Sequence, residues 1–374
     1  MAALPRPVNV RTIARTGRVP ARPALPPPPV FSDATAPHPA GTAPAPARRP
    51  AAAWQRELAE AIREPKELCR LLGLEPAIAA ARAAAGGFPL LVPRSFAARM
   101  RPGDPRDPLL LQVLPQVAEG VPTPGFTADP LDEAATLAAA GLLKKYPGRG
   151  LVLATGGCAV NCRYCFRREF PYAESGVSPA GLAAAVEAIA ADGSLAEVIL
   201  SGGDPLLLDD GRLADFVRRL EAVPHVRRLR IHSRLPVVLP ARVTDELVAL
   251  LADSRLTSVI VIHANHPREI DAAVERAVRR LAAAPAIVLN QAVLLAGVND
   301  SAAVQRALAE RLVEAGVVPY YLHLLDRVAG TAHFEVPEER AVALHRELRE
   351  TLPGYAVPRL VRAAPGARSK QWIA

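Results

Sequence analysis

From residue 151 onward the chain sets down six short apolar runs with helix-like stretches between them. The runs are Leu151–Ala154, Glu197–Ser201, Arg228–His232, Ser258–His263, Ala286–Val293 and Val318–Leu325. The segments Pro179–Ala191, Arg212–Ala222, Thr244–Ala252, Arg268–Ala283 and Ala302–Ala315 separate them and carry helical periodicity. Strands joined through helices lie parallel, with the helices covering the sheet. Right-handed crossovers curl such a sheet one way, and six units fall short of the eight that close a barrel. The predicted fold class is α/β, a partial (β/α)6 barrel over residues 151–330.

Polar residues collect where these runs end. Gly202-Gly203-Asp204-Pro205 follows the second run, and His232-Ser-Arg234 ends the third. His263-Ala-Asn-His266 ends the fourth, Asn290-Gln291 lies on the fifth, and Asp326 follows the sixth. Parallel α/β barrels build their active sites at the C-terminal ends of the strands, so these residues predict a shared site.

The first run leads into Gly156-Gly157-Cys158-Ala-Val-Asn-Cys162-Arg-Tyr-Cys165, a C-x3-C-x2-C spacing that takes three of the chain's four cysteines. That concentration predicts a ligand set. Thiolates suit soft metal centres, and a cubane iron–sulfur cluster ordinarily takes four. Three therefore leave one iron open to another ligand. A structural zinc ion wants four ligands; Cys69 or a histidine could complete one, although no second C-x2-C pair is present. A disulfide would strand an odd thiol and suits a secreted chain.

The net charge of +8 raises the question of nucleic acid, but its position argues against that partner. Residues 1–50 hold seven arginines against one aspartate, together with 13 of the 38 prolines. We expect this Pro/Ala/Arg-rich tail to be disordered, either as a transit-like or as a compositionally biased N-terminus. The remaining chain is close to neutral, so no nucleic acid is expected. No run is apolar enough to span a bilayer, and a cytoplasmic location is expected. Residues 51–150 read as mostly helical, with Trp54–Leu72 amphipathic and suited to core packing or to subunit packing in a homo-oligomer. Residues 331–374 form an extension with one helix, Pro337–Leu352, and a tail bearing Lys370, one of only four lysines.

The extended string Gly156–Tyr172 (Gly-Gly-Cys-Ala-Val-Asn-Cys-Arg-Tyr-Cys-Phe-Arg-Arg-Glu-Phe-Pro-Tyr) resembles the radical S-adenosylmethionine (radical SAM) enzymes of the lysine 2,3-aminomutase family. It is most similar to the branch that makes β-lysine for modifying elongation factor P. Further matching strings are Val92-Pro-Arg-Ser-Phe96, Ser201-Gly-Gly-Asp-Pro205, Arg230-Ile-His-Ser-Arg-Leu-Pro236 and Pro319-Tyr-Tyr-Leu-His323. The resemblance runs from about Trp54 to Lys370.

It implies a radical SAM barrel with a helical N-terminal region and a C-terminal extension that binds pyridoxal 5′-phosphate (PLP). A [4Fe–4S] cluster would sit on Cys158, Cys162 and Cys165, and S-adenosyl-L-methionine near Gly202, Gly203, Asp204, His263 and Gln291. Lys370 would carry PLP, Arg167 would pair with the substrate carboxylate, and Asp326 with the distal ammonium of L-lysine. A one-electron reductant and an elongation factor P ligase are the implied partners. Two departures stand out. The second ammonium-binding aspartate of the free-lysine enzymes falls at Ala363, and Lys370 is followed by Gln-Trp-Ile-Ala in place of Lys-Thr-Pro, with little chain to anchor it. The same chemistry on another amino acid, such as glutamate or arginine, and a non-catalytic iron–sulfur or zinc protein are the alternatives.

Overall fold

Each of the six expected strands forms within two residues of its expected limits. They are β3 (Arg149–Thr155), β4 (Glu197–Gly202), β5 (Arg228–Ser233), β6 (Thr257–Ile262), β7 (Ala286–Val293) and β8 (Val318–His323) in a computed structural model that describes residues 52–374 apart from residue 86. The expectation for residues 1–50 falls outside the described residues. The six strands pair in parallel and in chain order. Their register sets Ile199 beside Arg230, His232 beside Val261, Val261 beside Leu289 and Gln291 beside Tyr321.

Four further strands extend the sheet. β1 (Leu137–Ala139) and β2 (Leu142–Leu143) form a hairpin antiparallel to β3, β9 (Arg359–Arg362) adds a seventh parallel strand beside β8, and β10 (Gln371–Trp372) closes the row antiparallel to β9. The order is β1 through β10 with no pairing between the ends, so the barrel stays open.

Period-two alternation decides what faces where. On β5, Leu229 and Ile231 are buried against the helical layer, while Arg228, Arg230 and His232 take the opposite face. The helix Asp210–Glu221 meets the sheet with Leu213, Phe216, Val217 and Leu220, the i, i+3, i+4, i+7 stripe of an amphipathic helix. Burying each such side chain contributes about 1.5–3 kcal/mol. Helix starts follow local capping chemistry: Ser178 Oγ accepts from Gly181 N at 3.0 Å with Pro179 at the first helical position, and Asp209 accepts from Arg212 N at 2.9 Å.

The N-terminal region departs from the expected pattern. Trp54–Leu72 is two helices, Ala53–Ala59 and Pro65–Leu71. Between them Ile62 exchanges both backbone hydrogen bonds with Val92, at 2.8 and 2.9 Å, and Pro65 starts the next helix because its ring cannot continue the previous one. Residues 112–150 hold mostly turns and the β1–β2 hairpin. One hydrophobic core nonetheless runs from Trp54 to Leu360, so these segments and the barrel share an interior. Among the described residues no helix is long and apolar enough to cross a membrane.

Candidate active site

The cysteine loop is clamped from two sides. On the sheet side, Gly203 N donates to Thr155 O at 2.6 Å and Asp204 N to Gly157 O at 2.7 Å. The loops meet so closely that a Cβ on Gly203 would lie 1.9 Å from Gly157 O, and one on Gly202, at φ +114°, would lie 2.6 Å from Thr155 O. These glycines therefore seat the second loop on the cysteine loop. On the outer side, Asn161 N donates to Leu91 O at 3.0 Å and Arg163 N to Gln112 O at 2.8 Å. Arg163 also donates to Phe88 O at 2.7 Å and to Glu119 Oε1 at 2.8 Å.

Asp204, expected near the nucleotide, turns into the protein. Its carboxylate accepts from Ser233 Oγ at 2.7 Å and from the backbone N–H groups of Arg234, Leu235 and Leu206 at 2.8, 3.2 and 3.1 Å. Burial pushes its carboxyl up to about 6 despite these donors. Its contacts are those of a brace between the ends of β4 and β5.

Cys158 and Cys165 lie near enough to the other loop thiols for that proximity to disfavour their ionisation. Burial, then the neighbouring cysteines, raises Cys158 well above the ordinary thiol value and pushes Cys165 up to about 11. Three thiolates held this close need a positive centre among them, which is what an iron cluster supplies. Cys69, the alternative fourth zinc ligand, is fully buried in the apolar core. Among the described residues no three Cys, His, Asp or Glu side chains converge on a single-ion site.

Beside the loop, the barrel interior holds three histidines, His323 buried and His232 and His263 half-buried, with the His232 and His263 rings 5.7 Å apart and the His323 ring 5.5 Å from that of Tyr321. Burial lowers all three, His263 to about 3, so they are neutral at physiological pH. His263 Nε2, His323 Nε2 and Gln291 Oε1 are buried without partners among the described residues. Unpaired buried polar atoms cost about 1–3 kcal/mol each, and here they fit a polar ligand lodged in the barrel. Asn290, by contrast, is spent on the Ala264 backbone at 2.9 and 3.0 Å.

Lys370 reaches this interior. Its ammonium lies 5.6 Å from the Tyr321 ring centroid. Burial lowers the amine to about 8, opposed by Asp326 and reinforced by Lys145 and Arg230. The short tail is well anchored: Gln371 and Trp372 pair with Arg362 and Val361, Ile373 N donates to Leu360 O at 2.9 Å, and Arg359 covers the Trp372 ring at 4.7 Å. Strand β10 supplies the anchorage that the four residues after Lys370 do not announce in sequence. Burial pushes Asp326 up to about 6, with Lys370 and Lys145 pulling the other way.

Arg167 is already engaged. Its Nε and Nη2 grip Glu133 at 2.6 and 3.0 Å, and Nη1 donates to Ser201 Oγ at 2.9 Å and Gly202 O at 3.2 Å. Glu133 also accepts from Lys145 at 3.2 Å. Burial alone would raise the Glu133 carboxyl; Arg167 and Lys145 hold it below its ordinary value instead. The Arg167 guanidinium expected to pair with a substrate carboxylate is thus already paired with Glu133. Glu133, Glu269 and His323 were not singled out from sequence, whereas Arg234 was one of the polar residues noted at the strand ends. The strings holding Arg234 and His323 were visible, whereas Glu133 is 34 residues from its partner.

Residues 152–305 match the model of the radical SAM superfamily. The chain is 48% identical over 319 residues to an L-lysine 2,3-aminomutase of Escherichia coli (strain K12), covering 85% of this chain and 93% of the relative. It is 45% identical over 322 residues to an L-lysine 2,3-aminomutase of Haemophilus influenzae, covering 85% and 94%. A solved radical SAM methyltransferase from Sphaerobacter thermophilus aligns with 59% of this chain and 68% of that one, at TM-score 0.41 and 19% identity. At these identities and coverages the chain belongs to the lysine 2,3-aminomutase family of radical SAM enzymes, isomerases that use a [4Fe–4S] cluster, S-adenosylmethionine and PLP.

Proposed function

We propose that this chain is a PLP-dependent 2,3-aminomutase that converts L-lysine to (R)-β-lysine, the product serving modification of elongation factor P in the cytoplasm. The observation that carries the reading is Lys370: a rare lysine, anchored by β10, set in a barrel of neutral histidines with Asp326 near enough to shift it. Its link to elongation factor P rests on the Gly156–Tyr172 string. A protein ligase would consume the product, and a one-electron donor would feed the cluster.

When bound, the cluster with S-adenosylmethionine supplies one-electron access to a carbon radical, and PLP supplies delocalisation for the migrating nitrogen. Cys158, Cys162 and Cys165 would hold the cluster. Lys370 is the residue to hold PLP, because an amine lowered to about 8 has a larger unprotonated, nucleophilic fraction at neutral pH than a surface lysine. His263 and Gln291 offer unpaired polar atoms to the nucleotide. Arg167, fixed in its fork by Glu133, orients the substrate carboxylate. Asp326 meets the distal ammonium, and the neutral histidines add no positive charge against a cationic substrate. Burial of these groups excludes water from the reacting carbons.

Ala363 favours a second reading in which another amino acid is the substrate, because only Asp326 is left to select a cation. Both readings are tested by anaerobic reconstitution with S-adenosylmethionine, PLP, reductant and L-lysine, followed by chiral mass spectrometry. β-Lysine that disappears in Lys370→Ala and Cys162→Ala supports lysine. Formation of 5′-deoxyadenosine without β-lysine moves the assignment to another amino acid. Neither product from cluster-loaded protein overturns the aminomutase reading.

A further inference from the structure

The Arg234 side chain, at the end of β5, takes no part in the chemistry derived above, yet it is buried against the cysteine loop. Its Nη1 donates to Cys162 Sγ at 3.1 Å. Nη2 donates to Gln112 Oε1 at 2.8 Å and to Glu269 Oε2 at 3.3 Å. The guanidinium also lies 5.4 Å from the Tyr164 ring centroid and 5.6 Å from that of Phe96. Its backbone is fixed separately, by Asp204.

The partners are themselves tied down. Glu269 is fully buried and accepts from Gln112 Nε2 at 3.0 Å and from the backbone N–H groups of Asn265 and His266 at 3.0 and 3.1 Å. Asn265 Nδ2 donates both to Gln112 Oε1 at 3.0 Å and to Tyr164 Oη at 2.7 Å. A buried cation is thus locked with one donor on a cysteine sulfur and with its countercharge on the far side.

We propose that Arg234 and Glu269 form a tuning pair that sets the reduction potential of the cluster held by Cys162, Arg234 raising it and Glu269 tempering the rise. The inference rests on the reading that Cys162 is a cluster ligand. Hydrogen bonds to cluster sulfurs and local net charge are what the protein uses to shift such potentials. Accepting one electron makes the cluster more negative, so a cationic N–H donor on its thiolate stabilises the reduced form. A carboxylate behind that donor destabilises the reduced form. In a dry site neither effect is screened by solvent.

The two residues therefore predict shifts of opposite sign, which loss of packing alone does not produce. Redox titration of the reconstituted cluster, read by electron paramagnetic resonance without lysine or S-adenosylmethionine, is the test. Arg234→Gln is expected to lower the midpoint so that the reduced fraction ratio at fixed potential falls about tenfold, about 59 mV for a one-electron couple. Glu269→Gln is expected to raise it. Arg234→Lys, which keeps the charge without the fork, should fall between Arg234→Gln and the parent. Glu269 retains three N–H donors when Arg234 is replaced, so Arg234→Gln is expected to fold. Unchanged midpoints, or shifts of the same sign in Arg234→Gln and Glu269→Gln, would overturn the tuning role while the cluster assignment stands. Failure of the parent to take up iron and sulfide would overturn the cluster assignment, and the tuning role with it.

Discussion

Replacing Gly203 with alanine is the sharpest probe of how the cysteine loop is held. The new methyl would sit 1.9 Å from Gly157 O and 2.6 Å from Gly157 C, about 1.5 Å short of ordinary contact. Both atoms are backbone, so no side chain can swing away. Relief requires parting the two loops, which costs the Gly203–Thr155 and Asp204–Gly157 hydrogen bonds. Overpacking costs about 1–3 kcal/mol, and each lost bond about 0.5–1.5 kcal/mol, giving about 2–6 kcal/mol in total. Cys158 follows Gly157 directly, so the displacement also spreads the ligand set. Urea unfolding of the cluster-free chain should show the loss of stability, and iron per chain after reconstitution should fall. Gly193→Ala is the control, because nothing lies within 4 Å of its Cβ; it should stay within about 1 kcal/mol of the parent. Equal stability and equal iron in the two variants would refute the clamp.

Three further outcomes follow from the site. Capture of PLP by the cluster-free chain, read by absorbance, should accelerate up to about pH 8 and then level, because burial lowers Lys370 to about 8; continued acceleration toward 10.5 would place the amine in solvent. Deleting Gln371–Ala374 removes β10, so capture should weaken and its midpoint should move upward with little change in melting temperature. Arg167 and Lys145 hold the Glu133 carboxyl below its ordinary value of 4.5, so its contribution is complete above that value and is lost as pH falls through the lowered folded value. Glu133→Gln should accordingly cost about 3–5 kcal/mol at neutral pH and flatten the acid limb of the melting curve below pH ~4.5; an unchanged acid limb would contradict the pairing with Arg167.

What could be read from sequence was what local pattern determines. Strands β3 to β8 declare themselves because each is an apolar run bounded by loops, and the cysteine spacing carries its own chemistry. β9 escaped because Arg-Leu-Val-Arg is four residues long with charges at both ends, and β10 is only two residues. Each exists because a neighbouring edge pairs with it, which no local window contains. The same holds inside the site. The role of Arg167 came only through the family resemblance, and its clamp by Glu133 depends on a fold that brings residues 34 apart together. Gly202 and Gly203 were legible as part of a matching string, but not why glycine stands there. The reason, backbone of the cysteine loop at 1.9 and 2.6 Å, appears only once both loops are in place. Asp204 shows the opposite case: its position in the motif suggests a ligand, and its four donors make it a brace.

The most direct test is to give the reconstituted enzyme L-lysine deuterated at C3 and follow the label by mass spectrometry. The account predicts β-lysine carrying deuterium at the adjacent carbon, label in the recovered deoxyadenosyl group, and neither in Lys370→Ala. β-Lysine formed with no label in the deoxyadenosyl group, or label transfer that persists without Lys370, would contradict it.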